Sequence, residues 1–209
     1  SGASDKEIAR LETKVATLEA ENKDLTAGND DLLAELATMQ SGGAASEAAN
    51  TASRFNLRPN VPATFNAGIE SPEVAEGTYI DPEASVIGNV FIGAEVYVGP
   101  NSSIRGDEGQ PIFIGNGTNL QDGVTVHALE TEEDGVVVAA NLVEVDGKKY
   151  AVYIGNNVSL AHMSLVHGPA AVGDNTFVGM MAFVFKARIG ATVVIAPGAL
   201  VMGVPVADT

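Results

Sequence analysis

Residues 154–172 read Ile-Gly-Asn-Asn-Val-Ser-Leu-Ala-His-Met-Ser-Leu-Val-His-Gly-Pro-Ala-Ala-Val, and an aliphatic side chain returns at every sixth position. The recurring residues are Ile154, Leu160, Val166 and Val172. Neither an α-helix nor a two-sided β-strand has this period, because they repeat after about 3.6 and 2 residues. A period of six is typical of a hexapeptide repeat, in which each hexad forms a short strand and a turn. The aliphatic side chain then points into the axis of a parallel β-helix.

The same spacing extends over most of the chain from residue 80 onward. Its members are Ile80, Val86, Ile92, Val98, Ile104, Ile114, Leu120, Val126, Ile154, Leu160, Val166, Val172, Val178, Val184 and, after a slip of one residue, Ile189, Ile195 and Val201. Ile-Gly-Asn at 87–89, 114–116 and 154–156 is expected to form turns, because Gly and Asn tolerate the left-handed backbone conformation. The fold class is therefore mainly β.

Two excursions interrupt the repeat, at 105–113 and 128–153. Insertions in a repeat fold collect on one face, which is often the functional one. Within the second excursion, 143–145 and 150–153 are predicted to pair as a hairpin across Asp146-Gly147. A solvated loop is expected from the acidic residues Glu132, Glu133 and Asp134.

Residues 4–40 show the heptad pattern of a coiled coil. Apolar or Asn side chains alternate at steps of three and four residues: Ile8, Leu11, Val15, Leu18, Asn22, Leu25, Asn29, Leu32, Leu36 and Met39. We predict an α-helix over 1–41 that forms a trimeric stalk, a small-residue linker over 42–60 and a β-helix domain over 61–209. The alternative interpretation is a single amphipathic helix that packs on the β-helix.

The composition argues against several classes of protein. The chain has 27 acidic and 11 basic residues, and this balance disfavours nucleic-acid binding because phosphate contacts need clustered Lys and Arg. It has no run of about 18 apolar residues, so no membrane span is predicted. It has no cysteine, which excludes disulfides and thiolate ligands. A stalk after Ser-Gly-Ala suits an exported or envelope-associated protein, and the same residues suit a remnant of cloning, so localisation stays open.

His127, His162 and His167 are the three histidines of the chain, and they fall in two short stretches. Taken singly, each one suits a surface residue or a satisfied core residue. Together, three neutral imidazoles and a water make the open shell of a catalytic zinc ion. His127 and His167 each follow an inward aliphatic residue directly, so both should point outward on equivalent edges. His162 comes two positions after such a residue and points elsewhere, so a neighbouring chain is expected to supply the third ligand.

Polar residues near the histidines have side chains suited to catalysis. Glu108 and Glu130 are candidates for moving a proton from a water whose pKa zinc lowers to about 7. Gln121 and Asn119 are candidates for orienting substrate or hydroxide through hydrogen bonds. A structural ion pair across an interface is expected from Arg105 and Asp107.

Four segments resemble a known family: Tyr-Ile-Asp-Pro-Glu-Ala-Ser-Val-Ile-Gly (79–88), Ser-Ile-Arg-Gly-Asp-Glu-Gly (103–109), Asn-Leu-Gln-Asp-Gly-Val-Thr-Val-His-Ala-Leu-Glu (119–130) and Ser-Leu-Ala-His-Met-Ser-Leu-Val-His-Gly (159–168). They are similar to the γ-class carbonic anhydrases, and the resemblance runs from about residue 60 to the end of the sequence. A hexapeptide acyltransferase shares the repeat but not this set of histidines.

The resemblance implies a left-handed β-helix that forms a homotrimer with metal sites at the subunit interfaces. His127 and His167 would come from one subunit and His162 from the next. The metal would be Zn²⁺, or Fe²⁺ in anaerobic organisms, with Co²⁺ as a substitute.

The resemblance also implies roles for the polar residues. Glu130 matches the proton shuttle, Glu108 matches the glutamate beside the metal, and Gln121 matches the residue that hydrogen-bonds the hydroxide on the metal. A network that supports site and interface matches Arg105, Asp107 and Asp122. The family continues into a C-terminal helix with Tyr and Asn residues that face the active site. This sequence ends at residue 209, so that contribution is not carried over.

The predicted function is the reversible hydration of CO₂ to bicarbonate by a metal-dependent carbonic anhydrase. Two alternatives remain open, a catalytically inactive trimeric scaffold and an acyltransferase on the same fold. Acyltransferases of this fold usually use a histidine base, a groove for the acyl donor and no metal. Metal content and binding of coenzyme A therefore distinguish the three functions.

Overall fold

The computed structural model describes Lys14, residues 56–203 and residues 205–206. The predicted coiled-coil helix lies outside the described residues except for Lys14, which is helical and exposed. Leu57–Arg58 forms the first strand, β1, so the β-helix begins before the predicted domain boundary at residue 61. No helix in the described part of the chain is long and apolar enough to cross a membrane.

Short parallel strands wind around one axis and stack into three sheets within the described residues. The first sheet contains β1, β4 (Ser85–Gly88), β7 (Ser103–Gly106), β10 (Thr125–His127), β17 (Leu165–His167), β20 (Phe183–Phe185) and β23 (Leu200–Met202). The second contains β2 (Glu73–Val74), β5 (Val90–Ile92), β8 (Ile112–Ile114), β15 (Val152–Ile154), β18 (Ala170–Val172), β21 (Arg188–Ile189) and β24 (Pro205–Val206). The third contains β3 (Tyr79–Ile80), β6 (Tyr97–Val98), β9 (Asn119–Leu120), β16 (Ser159–Leu160), β19 (Phe177–Val178) and β22 (Val194–Ile195).

Each coil gives one strand to each sheet in turn, which is the architecture of a left-handed parallel β-helix. The hexad aliphatic residues fill its axis, as predicted. Val126, for example, pairs with Ile104 on one side and Val166 on the other, and all three are fully buried. Val201, in the last described coil, packs on this core but is partly exposed. Equivalent aliphatic residues of successive coils thus stack on one another. Each of the three sheets of a coil contributes one such residue, which explains the six-residue period.

The Ile-Gly-Asn turns need glycine for two different reasons. Gly88 has φ of +77°, as predicted for a left-handed turn residue. In the other two motifs the left-handed residue is the one that follows, such as Gly117 at φ +65°, so the prediction is wrong there. Gly115 is required for space instead, because a Cβ on it would lie 2.5 Å from the carbonyl oxygen of Gly155 in the next coil.

Both excursions leave the β-helix at the corner between the first and second sheets. The shorter one spans 107–111 between β7 and β8, and the longer one spans 128–151 between β10 and β15. The longer excursion contains β11 (Glu132–Glu133), β12 (Val136–Val137), a 3-10 helix (Ala139–Asn141), β13 (Val143–Val145) and β14 (Lys148–Tyr150). The insertions therefore share one face of the fold, next to the ends of β7, β10 and β17.

The predicted hairpin of the long excursion forms, but its second strand begins earlier than predicted. β13 pairs with β14 across Asp146 and Gly147, whose φ values of +50° and +73° suit a tight hairpin turn. The position of the second strand is corrected because Val152 already belongs to β15 and is fully buried in the core.

Candidate metal centre

His127 and His167 lie side by side because β10 and β17 pair in register, with the two histidines as direct partners. Each follows a fully buried valine, and side chains alternate along a strand, so both imidazoles point away from the axis. Their ring centroids are 5.3 Å apart, and the ring planes are inclined at 86°. Two candidate ligands therefore face the same space on one chain.

His162 lies before the N-terminal end of β17, whereas His127 and His167 lie at the C-terminal ends of β10 and β17. It is exposed and belongs to the turn that joins β16 to β17, whereas His167 ends β17. An extended strand rises about 3.3 Å per residue, so β17 alone separates the two histidines by roughly 10 Å. The ligand nitrogens of one tetrahedral zinc ion lie about 3.4 Å apart. One chain therefore does not bring the three predicted histidine ligands together.

Hydrogen bonds determine which ring nitrogen is free on two of the histidines. His167 Nδ1 lies 3.1 Å from the carbonyl oxygen of Gly168, which only accepts, so Nδ1 carries the proton. His162 Nδ1 lies 2.8 Å from Oδ1 of Asp122, where the same reasoning holds. Nε2 is then the free acceptor on each ring. Metal-binding histidines in proteins are held in this way by a carbonyl or carboxylate on the other nitrogen.

Carboxylates from the short excursion meet His127. Its Nε2 lies 3.1 Å from Oδ1 of Asp107 and 3.1 Å from Oε1 of Glu108. These three donor atoms all lie within 4.8 Å of one another, a spacing that suits a shared cation. Oδ2 of Asp107 accepts from Arg105 Nε and Nη2 at 3.1 and 3.0 Å. That ion pair forms within one chain, between Arg105 in β7 and Asp107 at the start of the short excursion.

Glu108 is a buried carboxylate, with only 8% of its surface exposed. Its Oε2 has no hydrogen-bond partner among the described residues, although Oε1 contacts His127. Buried polar atoms in native proteins almost always have a partner. The unpaired oxygen therefore points to a proton, a water or a ligand that occupies this space when the site works.

Burial lowers the pKa of the His167 imidazole, and the hydrogen bond to the Gly168 carbonyl offsets part of this effect. The lowered pKa favours the neutral ring near pH 7. Only the neutral ring has a lone pair for a metal ion. The environment of His167 thus suits a ligand rather than a salt-bridge partner.

The predicted site residues separate into two groups on the chain. The first half-site comprises Arg105, Asp107, Glu108, His127, Glu130 and His167. The second half-site comprises Asn119, Gln121, Asp122 and His162. In the second, Asn119 lies in β9, which pairs with β16, so the residues that follow these two strands are neighbours. Glu130 is exposed and lies near the start of the long excursion, three positions after His127, so we group it with the first half-site.

Sequence reasoning missed Thr131, which is fully buried within the acidic run of the long excursion. Its hydroxyl bonds to the Glu108 carbonyl oxygen and accepts a hydrogen bond from the Gln110 N–H at 2.7 Å. Of the three acidic residues predicted to form a solvated loop, Glu133 and Asp134 are exposed, whereas Glu132 is half-buried in strand β11. An uncharged residue among acidic ones was the one signal in the sequence.

The fold and the histidine–carboxylate cluster together define a hexapeptide-repeat β-helix protein with a candidate metal site. No family model matches the chain. Among solved structures, a putative acetyltransferase from Bacillus cereus superposes with a TM-score of 0.53 at 23% identity, covering 66% of this chain and 70% of that chain. This likeness shows the fold alone.

Sequence comparison identifies the relatives more narrowly. The chain is 57% identical over 154 residues to a carbonic anhydrase of Methanosarcina thermophila, covering 73% of this chain and 62% of that protein. It is 36% identical over 118 residues to mitochondrial gamma carbonic anhydrase 2 of Arabidopsis thaliana, covering 56% of this chain and 37% of the relative. The chain is therefore a homologue of the γ-class carbonic anhydrases, which confirms the predicted resemblance.

A third relative has a different described role. The carboxysome assembly protein CcmM of a Nostoc species is 41% identical over 145 residues, covering 69% of this chain and 25% of that protein. The chain thus spans less than two thirds of the length of each of these curated relatives. The similarity supports the fold and the kinship, and the activity is argued separately below.

Proposed function

We propose that this protein is a metal-dependent carbonic anhydrase that interconverts CO₂ and bicarbonate. The observation that carries the proposal is the pair of outward imidazoles, His127 and His167, beside the buried carboxylate of Glu108. This cluster lies on a chain that is 57% identical to a carbonic anhydrase. Neither a purely structural β-helix nor an acyl-transfer site requires two paired histidines next to a buried carboxylate with one unpaired oxygen.

The proposed site is completed across the interface of a homotrimer. The first half-site offers two imidazoles, and the second half-site offers His162 on another edge of the same chain. A ring of three identical chains brings the first half-site of each against the second half-site of the next and makes three equal sites. The separation of His162 from His167 by strand β17 supports this arrangement.

The donor set fits the proposed metal. It consists of imidazoles, and the chain has no cysteine that would favour a closed structural zinc site. Zn²⁺ is the proposed ion, while Fe²⁺ and Co²⁺ accept the same ligands. When bound, such an ion lowers the pKa of a coordinated water to about 7.

The other residues of the first half-site have distinct proposed roles. Oε2 of Glu108 is buried and unpaired, and Oε1 of the same carboxylate lies 3.1 Å from His127, so this carboxylate can hold a proton beside the reacting atoms. Glu130 is exposed and can pass that proton to solvent. Arg105 engages Oδ2 of Asp107, and Oδ1 of the same carboxylate lies 3.1 Å from Nε2 of His127.

The second half-site supplies orientation in this proposal. Asp122 holds the ring of His162 through Nδ1. Gln121 and Asn119 carry amide groups that donate and accept, as the orientation of a substrate oxygen requires. Gln121 is held by backbone bonds, because its N–H donates to Leu160 and its carbonyl accepts from the Ser102 hydroxyl.

The proposed function is tested by metal analysis together with CO₂ hydration. We expect one zinc or iron ion per chain and hydration well above the buffer rate in a stopped-flow indicator assay. A fully metal-loaded protein without hydration activity would contradict the proposal and would favour the scaffold function, which the likeness to the assembly protein CcmM keeps as a second candidate. Coenzyme A binding with metal-independent acyl transfer would favour the acyltransferase.

Glu130→Ala is expected to slow turnover in weak buffer by about 10- to 100-fold, because the exposed carboxylate no longer exports the proton. A small-molecule base at high concentration should restore much of the rate. The matched control is Glu133→Ala, since Glu133 is an exposed glutamate on the same excursion. If Glu133→Ala slows turnover equally, or if buffer does not rescue Glu130→Ala, the shuttle role is wrong.

We also propose that residues 1–41 form a stalk of three coiled-coil helices, joined by a linker to the β-helix domain, whose first strand is β1. Deleting residues 1–41 should then leave a trimer with unchanged activity per site, because the proposed metal ligands all lie in the β-helix. Sedimentation and the hydration assay check this. Loss of solubility or of many degrees in Tm on deletion would instead support the packed amphipathic helix.

A further inference from the structure

We infer that Thr131 is a positioning residue for Glu108, and this inference rests on the carbonic anhydrase function proposed above. Thr131 is 0% exposed, although its neighbours Glu130 and Glu133 are exposed. It lies in the long excursion, whereas Glu108 lies in the short one. The side chain therefore joins the two insertions at the corner that carries the first half-site.

The hydroxyl of Thr131 bonds to both ends of the turn formed by residues 108–110. It donates to the Glu108 carbonyl oxygen and accepts from the Gln110 N–H at 2.7 Å. The backbone N–H of Thr131 donates to the same Glu108 carbonyl at 3.0 Å. Both ends of the turn are thus tied to one side chain, and the backbone that carries the Glu108 carboxylate is held against it.

Gly109, in the middle of this turn, shows how close the approach is. A Cβ at Gly109 would lie 2.9 Å from Oγ1 of Thr131, and the residue has φ of +101°. On its other side, the Gly109 carbonyl accepts a hydrogen bond from the Asn89 amide at 3.0 Å. The turn is therefore held on one side by Asn89 and on the other by Thr131 of the long excursion.

The position of Glu108 matters because its Oε1 lies 3.1 Å from the proposed ligand His127. Without the hydroxyl, the Gln110 N–H would lose its partner in a buried turn, and the turn would have to move to recover one. A displacement of about 1 Å in a catalytic group can cost about 100-fold in rate. Loss of the Thr131 hydroxyl should therefore act through the Glu108 carboxylate and its contact with His127, without removing a metal ligand.

The chain offers a matched control in Thr176. Its hydroxyl also donates to a glycine carbonyl, that of Gly190 at 3.0 Å, and accepts a backbone N–H, that of Val193 at 3.3 Å. It is almost fully buried, at 1% exposed, and it lies in a turn of the β-helix outside both half-sites. Thr176→Val removes an equivalent pair of hydrogen bonds from an equivalent environment, so it reports the purely structural cost.

The experiment compares Thr131→Val, Thr131→Ser and Thr176→Val as full-length, metal-loaded trimers. We expect Thr131→Val to lower kcat/KM for CO₂ hydration by about 10- to 100-fold with the metal content unchanged. The loss should persist at every buffer concentration, unlike the buffer-rescued loss of Glu130→Ala. Thr131→Ser keeps the hydroxyl and should keep most of the activity, and Thr176→Val should match wild type per folded site. Equal kcat/KM in Thr131→Val and Thr176→Val would overturn the inference.

A double-mutant cycle tests whether the effect passes through Glu108. Adding Thr131→Val to Glu108→Gln should cost little further activity if the hydroxyl acts by placing that carboxylate. Full additivity of the two losses would contradict the inference.

A readout that needs no turnover separates this inference from the proposed function. The visible absorption of the Co²⁺-substituted protein reports the surroundings of the ion, and it should shift in Thr131→Val but not in Thr176→Val. Inactive wild-type protein would refute the proposed function. An unshifted Co²⁺ spectrum in Thr131→Val, with an active wild type, would refute the positioning role alone.

Discussion

His162→Ala and His127→Ala chains, each inactive alone, are expected to regain CO₂ hydration when they are mixed. The reason is that each proposed site takes His127 and His167 from one chain and His162 from its neighbour. In randomly mixed trimers, about a quarter of the interfaces join an intact first half-site to an intact second half-site. Activity per chain should therefore return to roughly that fraction of wild type once subunit exchange is complete, as followed by mass spectrometry.

The matched control mixes His127→Ala with His167→Ala. Both histidines lie on adjacent strands of one chain, 5.3 Å apart by ring centroid, so no arrangement of these two variants restores an intact first half-site. No activity should return in this mixture. Recovery in the control mixture, or none in the first mixture after exchange, would show that the division of ligands between chains is wrong.

Gly115→Ala is expected to lower the free energy of unfolding by about 3 kcal/mol or more. A Cβ at Gly115 would lie 2.5 Å from both the carbonyl carbon and the oxygen of Gly155 and 2.7 Å from the Asn156 nitrogen. All three atoms are backbone, so no side chain can rotate away. The coils would have to separate where Gly115 N–H donates to Ile154 at 2.8 Å. Urea unfolding followed by circular dichroism measures the loss.

Gly68→Ala is the control for this substitution. A Cβ there would meet only the Asn66 side-chain oxygen, at 3.4 Å, and Gly68 is exposed. The change in the free energy of unfolding should stay within about 0.5 kcal/mol. If Gly115→Ala lowers the free energy of unfolding no more than Gly68→Ala does, the prediction is wrong, and neighbouring coils can move apart to accept a Cβ.

The coil architecture could be predicted because its cause is local and repeated. Each coil places one aliphatic residue of each hexad on the axis, as Val126 and Val166 show. The six-residue period of these residues therefore predicts the β-helix directly. The same phase showed that His127 and His167 point alike, because both follow an inward residue. The excursions were visible as breaks in that period.

Other features of the fold produce no repeating pattern in the sequence. Ile-Gly-Asn was expected to mark left-handed residues, but at Gly115 the glycine is selected by the backbone of the next coil, 40 positions along the chain. Glu133 and Asp134 are exposed as expected, but Glu132 is half-buried, and the adjacent Thr131 is buried by contact with the short excursion. Contacts between segments distant in sequence leave no pattern in either segment alone.

The sequence by itself determined the β-helix, the corner that carries the insertions and the residue types available to a metal, because side-chain periodicity follows directly from backbone geometry. Only the tertiary structure decided which of these residues meet. It places Glu108 and Asp107 on His127, leaves His162 with Asp122 across the first sheet, and buries Thr131 between the two excursions. The physical reason is that these contacts depend on how the two excursions fold over the corner, and that path is set by non-local hydrogen bonds rather than by the repeat.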